Sequence, residues 1–339
     1  MSKITLNINT SPHVVKGLST DMIMKQVIYA LLPAAAFGVY TFGTGALLVL
    51  LTSTAAAIGT EHYLCKWSKK PSTISDYSAA MTGLLLGMTL PPSFPLWMAA
   101  VGSFISIALG KFIFGGLGNN VFNPALVGRA FLQAAFPVAI TTWTDVFAPG
   151  RFTGVPSSIF ALPFMRPSVD AVSGATPLSS FKFDHMTTPV YDLFVGFCSG
   201  SIGETSAIFL ILGGIYLAWK KMLNWRIPAS ILLIVLIFSS IMYSLDSKTY
   251  PSPVFTLFAG GLILGAVFMA TDMVSSPITP AGVWVYGAII GFLVVLIRYW
   301  AGLPEGVMYA ILIANAISPH IDALIRPRVY GTQIKSGTS

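Results

Sequence analysis

The residues best suited to chemistry in this chain form a run of small side chains, Asp170-Ala171-Val172-Ser173-Gly174-Ala175-Thr176-Pro177-Leu178, in the one long polar interval of an otherwise apolar sequence. Ser173, Gly174 and Ala175 leave the Thr176 hydroxyl sterically open, and Gly174 has access to backbone angles closed to other residues. Pro177 disfavours the helical region for Thr176 and pushes it to an extended conformation that presents the hydroxyl. No histidine or lysine lies within five residues of Thr176 in sequence. The hydroxyl therefore lacks a base of its own, and the run reads as an acceptor for a group transferred by a second enzyme, with no catalytic residue in this chain.

Two other constellations stand out. Gly118-Asn119-Asn120-Val121-Phe122-Asn123-Pro124-Ala125 precedes Arg129, and the Asn120 and Asn123 amides can donate to and accept from a heteroaromatic edge. Helix capping by asparagine and pairing of Arg129 with backbone carbonyls is the alternative reading. Thr271-Asp272-Met273-Val274-Ser275-Ser276-Pro277-Ile278-Thr279-Pro280 places a carboxylate among hydroxyls and helix-breaking prolines, hard oxygen ligands suited to Na+ or a proton. A carboxylate inside a bilayer costs about 2.5–3.5 kcal/mol on insertion scales, so an idle one is rare there. Asp322, after Pro319-His320, is a second candidate for such a path. Glu204 reads as a solvated helix cap. His62, His185 and His320 have no second histidine at ligand spacing. Cys65 and Cys198 are too few for a disulfide framework and show no iron-sulfur spacing.

The elements that position these residues are membrane-spanning. Of 339 residues, 55% are hydrophobic and 9% charged, against roughly 25% charged in soluble domains. The sequence predicts an all-α integral membrane protein. No cleavable signal peptide is evident at Met1-Ser2-Lys3-Ile4-Thr5. The net charge of +7 forms no basic stripe interleaved with aromatics, so no nucleic-acid partner is expected. Apolar segments lie at 22–42, 44–60, 77–90, 96–113 and 121–137, then at 204–219, 228–245, 254–271, 281–299 and 306–325. Four regions follow: a first five-helix repeat over 1–137, an extracytoplasmic loop over 138–203, a second and inverted five-helix repeat over 204–325, and a cytoplasmic tail over 326–339. With ten crossings, thirteen of the nineteen Lys and Arg residues fall on the cytoplasmic side, which puts both termini there. Gly83-Leu84-Leu85-Leu86-Gly87 recurs as Gly261-Leu262-Ile263-Leu264-Gly265, and Trp97 and Lys111 match Trp284 and Arg298 at equal separation. An inverted repeat places functional sites near mid-membrane, at interrupted helices.

The D-x-x-S-G-A-T run from Asp170 to Thr176 matches the flavinylation motif of the RnfD and NqrB family, the homologous membrane subunits of Rnf and Na+-pumping NADH:quinone reductase complexes. The resemblance extends to the F-N-P-A-L stretch from Phe122 and to Ala270-Thr271-Asp272-Met273-Val274-Ser275. It implies a phosphoester of FMN at Thr176, with Asp170, Ser173, Gly174 and Ala175 as the motif the transferring enzyme reads. It also implies a second, non-covalent flavin, riboflavin or another, near Asn120, Asn123 and Arg129, and an Na+ or H+ path past Asp272 and Asp322. The implied function is a flavoprotein subunit of an Rnf-type translocase in a bacterial or archaeal cytoplasmic membrane, passing electrons between ferredoxin and NAD. Its implied partners are other membrane, iron-sulfur and flavin subunits, and a flavin transferase. The sequence starts directly before its first apolar segment, whereas NqrB-type members carry a longer extension, which inclines the resemblance to the RnfD branch. The alternatives are an NqrB-type subunit of a Na+-pumping NADH:quinone reductase, a passive channel or transporter, since a five-plus-five bundle serves those too, and a structural anchor with no redox role.

Overall fold

The computed structural model describes residues 19–163 and 173–326. Asp170, Lys3, Lys16, Pro327 and Arg328 lie outside them. The chain is an all-α, multi-pass membrane protein. Five helices are long and apolar enough to cross a membrane: α1 (Thr20–Phe42), α2 (Thr44–Trp67), α10 (Arg226–Leu245), α13 (Pro280–Trp300) and α14 (Val307–Leu324). Shorter apolar helices are α3 (Ser78–Met88), α4 (Leu96–Ile107, continued by a π turn over Ala108–Phe112) and α9 (Ala207–Trp219). The remaining helices are α5 (Pro124–Ala135), α6 (Pro137–Ile140), α7 (Pro177–Asp184), α8 (Val190–Val195), α11 (Pro253–Phe258) and α12 (Leu262–Leu264), the last running into a π turn over Gly265–Met269.

Local chemistry sets the boundaries. The α1–α2 hairpin turns at Gly43, which has φ +79, and a Cβ there would come within 2.0 Å of the Arg151 carbonyl oxygen. Asn123, Thr176 and Thr279 cap α5, α7 and α13 from extended backbone, each accepting an N–H of the first turn, and a proline opens each helix. Pro280 therefore starts α13, and the interruption after the eighth segment is a turn rather than a kink.

Two helix breaks are buried inside the bundle, where each exposed carbonyl needs a partner. Beyond α3 the chain runs through Pro91, Pro92 and Pro95 without helix, and this stretch is buried. Its carbonyls are met from 201–206: Gly203 donates to Met88 O at 2.7 Å and Ile202 to Leu90 O at 3.2 Å. Beyond α11 the guanidinium of Arg298 does the same work, with Nη1 donating to Thr256 O at 2.6 Å and Nη2 to Ala259 O at 2.8 Å. Large apolar side chains from both halves of the chain, among them Leu85, Phe94, Leu126, Ile263 and Tyr286, share one core.

Described residues of the 138–203 interval reach the helix ends, Arg151 at the α1–α2 turn and Lys182 at the end of α13. The interval's only β ribbon among the described residues pairs β1 (Trp143–Thr144) antiparallel with β2 (Ser173–Gly174). Lys182, in the last turn of α7, reaches the carbonyls at the end of α13, donating to Arg298 O at 3.0 Å, to Leu303 O at 3.1 Å and to Ala301 O. Burial pulls the Lys182 ammonium below its ordinary pKa.

Candidate functional site

Pro177 fixes the start of α7, and Thr176 just before it takes φ −68 and ψ 152, the extended conformation expected. The hydroxyl is not free, however. Thr176 is only 4% exposed, and its Oγ1 accepts from the Ser179 N–H at 3.2 Å and donates to the Ser179 hydroxyl at 3.0 Å. The open loop expected from the small residues is thus a buried N-cap, because an extended threonine before a proline is also the geometry of a helix start. Gly174 lies against Asp145 and Ser199, and a Cβ there would come within 2.2 Å of Asp145 Oδ1.

Thr176 borders a cavity of about 300 Å³ between the 138–203 interval and the bundle. Its polar wall is contributed by Arg129 of α5, by Glu204 before α9 and by Glu305 in the turn between α13 and α14. Leu126, Leu264 and Met308 supply apolar walls. Arg129 is 7% exposed; its Nη2 donates to Glu305 Oε2 at 3.0 Å. The other ends of this pair, Arg129 Nη1 and Glu305 Oε1, are buried with no hydrogen-bond partner among the described residues. Glu204 is no solvated cap. Helix α9 begins at Ala207, and Glu204 instead turns back on its own loop, where Oε2 accepts from Ser201 N at 3.4 Å, and faces the cavity.

A second cavity, of about 240 Å³, lies on the other side of the π turn and is bordered by Asn123, Asp272, Thr271 and Met222. Here Asn120 Nδ2 donates to Asp272 Oδ2 at 3.1 Å, and Asn123 Nδ2 donates to Met269 O at 3.0 Å. Asp272 also accepts from Val274 N at 3.1 Å, and Ser275 beside it is buried. Asp322 holds the same turn from α14, accepting from Ile278 N at 3.1 Å. The structure thus bonds Asn120 to Asp272, sets Asn123 on the same cavity as Asp272, and sets Arg129 and Thr176 on the other. Sequence reasoning misses Glu305; a single carboxylate in the short turn between two apolar spans is the signal that was there to find. Lys111, matched in sequence to Arg298, is buried beside Glu61 at 2.7 Å in a separate cluster with Ser78.

These features define a multi-pass membrane protein that holds a buried hydroxyl, a guanidinium and two carboxylates in one cavity at the end of its bundle. The family model described as NQR2, RnfD, RnfE matches residues 7–331. The chain belongs to that family. It is similar to a subunit of the proton-translocating ferredoxin:NAD(+) oxidoreductase complex of Clostridium ljungdahlii, with 44% identity over 98% of each chain. It is also similar to a subunit of the Na(+)-translocating ferredoxin:NAD(+) oxidoreductase complex of Acetobacterium woodii, with 38% identity over 99% of this chain and 98% of that one. A subunit of the ion-translocating oxidoreductase complex of Actinobacillus succinogenes is 38% identical over 96% of this chain and 97% of its own.

Proposed function

We propose that this chain is the membrane flavoprotein subunit of an Rnf-type complex that passes electrons between ferredoxin and NAD while moving Na+ or H+ across a bacterial cytoplasmic membrane, and that Thr176 carries FMN through a phosphoester. The carrying observation is that Thr176, Arg129, Glu204 and Glu305 border one cavity in a chain whose relatives are named as subunits of such complexes. The residues fit the group. An ester oxygen at Thr176 keeps its acceptor role toward Ser179 N–H, and the Ser179 hydroxyl, relieved of its present donor, turns to donate to a phosphate oxygen. The start of α7 is an electropositive helix end, favourable to that phosphate. A cavity near 300 Å³ with apolar walls and a few polar groups is of ligand-binding size. FMN supplies reversible electron transfer when bound; the chain's own groups orient it, shield it from water and set the local charge.

In this reading the bundle makes ten crossings as an inverted five-plus-five repeat, with both termini cytoplasmic and 138–203 outside. Support comes from the buried breaks after α3 and α11 and from the buried bases Lys111 and Arg298 at the ends of α4 and α13. The second, non-covalent flavin belongs near Asn120 and Asn123, and the ion path passes Asp272 and Asp322. Relatives in the family are named for H+ and for Na+, and an oxygen-lined carboxylate turn accepts either. The remaining partners are iron-sulfur and flavin subunits, and a transferase that must reach Thr176 before the 138–203 interval closes over it. The test is a denaturing gel of chain co-produced with a flavin transferase. Fluorescence on the band and a flavin-bearing peptide containing Thr176 are expected; a colourless chain, as a channel would be, overturns the reading.

A further inference from the structure

The Arg129–Glu305 pair is poorly explained as a structural brace. Bracing favours a fork-to-fork arrangement with two parallel hydrogen bonds, yet only Nη2 and Oε2 meet, at 3.0 Å, and the second donor and second acceptor are left buried without partners among the described residues. An unsatisfied buried donor on a charged group is costly, and this one belongs to a side chain bordering the same cavity as Thr176. Glu204 borders that cavity as well, but the Arg129 guanidinium is paired with Glu305 alone.

Resting on the reading that Thr176 carries a flavin, we infer that the spare Nη1 donor of Arg129 is the group that stabilises the negative charge of the reduced flavin ring, and that Glu305 opposes it and holds the guanidinium in place. Adding two electrons and one proton to the neutral oxidised ring leaves it with one negative charge; the electrons come from a low-potential reductant, and the proton from solvent. No covalent bond to protein forms or breaks. The guanidinium stays charged throughout, so its attraction to the ring exists only after reduction, whereas its bond to Glu305 exists in both states. That difference makes Arg129 a redox-tuning residue rather than a catalytic one. Glu305 raises the cost of reduction by its own charge.

The pair predicts opposite responses from its two members. The experiment is a dithionite redox titration of the flavin-loaded full chain, followed by absorbance, on wild type, Arg129→Gln and Glu305→Gln. Arg129→Gln is expected to lower the reduced:oxidised ratio at a fixed potential by on the order of tenfold, about 30 mV for a two-electron couple. Glu305→Gln is expected to raise that ratio. A structural brace would move both variants the same way through loosening of the cavity. Shifts of one sign, or no shift in either, overturn the inference. Should Arg129→Gln fail to accumulate, the upward shift in Glu305→Gln tests the same charge balance, and a downward or absent shift there overturns it. Mass analysis of the Thr176 peptide separates the two levels: flavin on Thr176 without opposed shifts overturns this inference alone, and no flavin there overturns the functional reading with it.

Discussion

Replacing Arg298 with methionine keeps the length and apolar bulk of the side chain and removes both hydrogen bonds to the end of α11. The two carbonyls freed, Thr256 O and Ala259 O, now accept at 2.6 and 2.8 Å from a fully enclosed guanidinium. Each buried polar group left unsatisfied costs about 1–3 kcal/mol, which gives about 2–6 kcal/mol for the pair. Removing a buried charge returns part of that, and about 2–3 kcal/mol remains as the expected loss. The damage does not stay local. Gly260 sits between Arg298 Nη2 and Leu178, the residue two beyond Thr176, so loosening the break slackens the floor under α7. The assay is thermal unfolding of the detergent-solubilised chain, where a loss of this size lowers the midpoint by about 3–4 °C. Arg298→Lys, with one ammonium in place of a fork, is expected to fall between the two. If the methionine variant melts within a degree of wild type, the helix break is not closed by this side chain and the accounting is wrong.

The remaining tests address the site and its surroundings. Thr176→Ala is expected to abolish covalent flavin and to cost about 1 kcal/mol through the lost N-cap, whereas Thr176→Ser keeps the cap; stability by chemical unfolding and in-gel fluorescence read the two effects separately. Gly174→Val is expected to cut flavin loading sharply, because even a Cβ there lies 2.2 Å from Asp145 Oδ1, and loading equal to wild type refutes that. Asp272→Asn is expected to leave flavin content intact while weakening ion-dependent electron transfer by the assembled complex; unchanged ions moved per electron would leave Asp272 a structural ligand of Asn120. A cysteine placed at position 180 is expected to react with an impermeant reagent in intact cells, and labelling only after the membrane is opened contradicts an external 138–203 interval.

Much of the frame was legible because hydropathy is a local property. The spans at 22–42, 228–245 and 281–299 reappear as α1, α10 and α13 within a few residues, and the extended Thr176 followed directly from its proline neighbour. The sequence pattern missed that the same dipeptide opens a helix, whose N-cap bonds to Ser179 occupy the hydroxyl. Arg129 and Glu305 are 176 residues apart, and no periodicity relates them. Proximity along the chain groups Arg129 with Asn120 and Asn123, but that stretch opens on the Asp272 cavity at its start and on the Thr176 cavity one turn into α5. Arg298 carried a detectable signal as a charge inside an apolar span; its partners did not, because backbone carbonyls leave no trace in composition.

The π turn over Gly265–Met269 is the partition between the two cavities. Gly265 and Met269 face the Thr176 side, and Val267 and Phe268 face the Asp272 side. The wall is therefore a single helix thick, about 10 Å. At that separation and an effective dielectric of about 20, one unit charge added on one side is felt on the other by about 1.7 kcal/mol. Such a charge would change the retention of a cation at the far side by more than tenfold with every helix standing still. A partition this thin lets the two compartments act like the plates of a capacitor, so that transmission between them demands a well-kept spacing rather than a moving part.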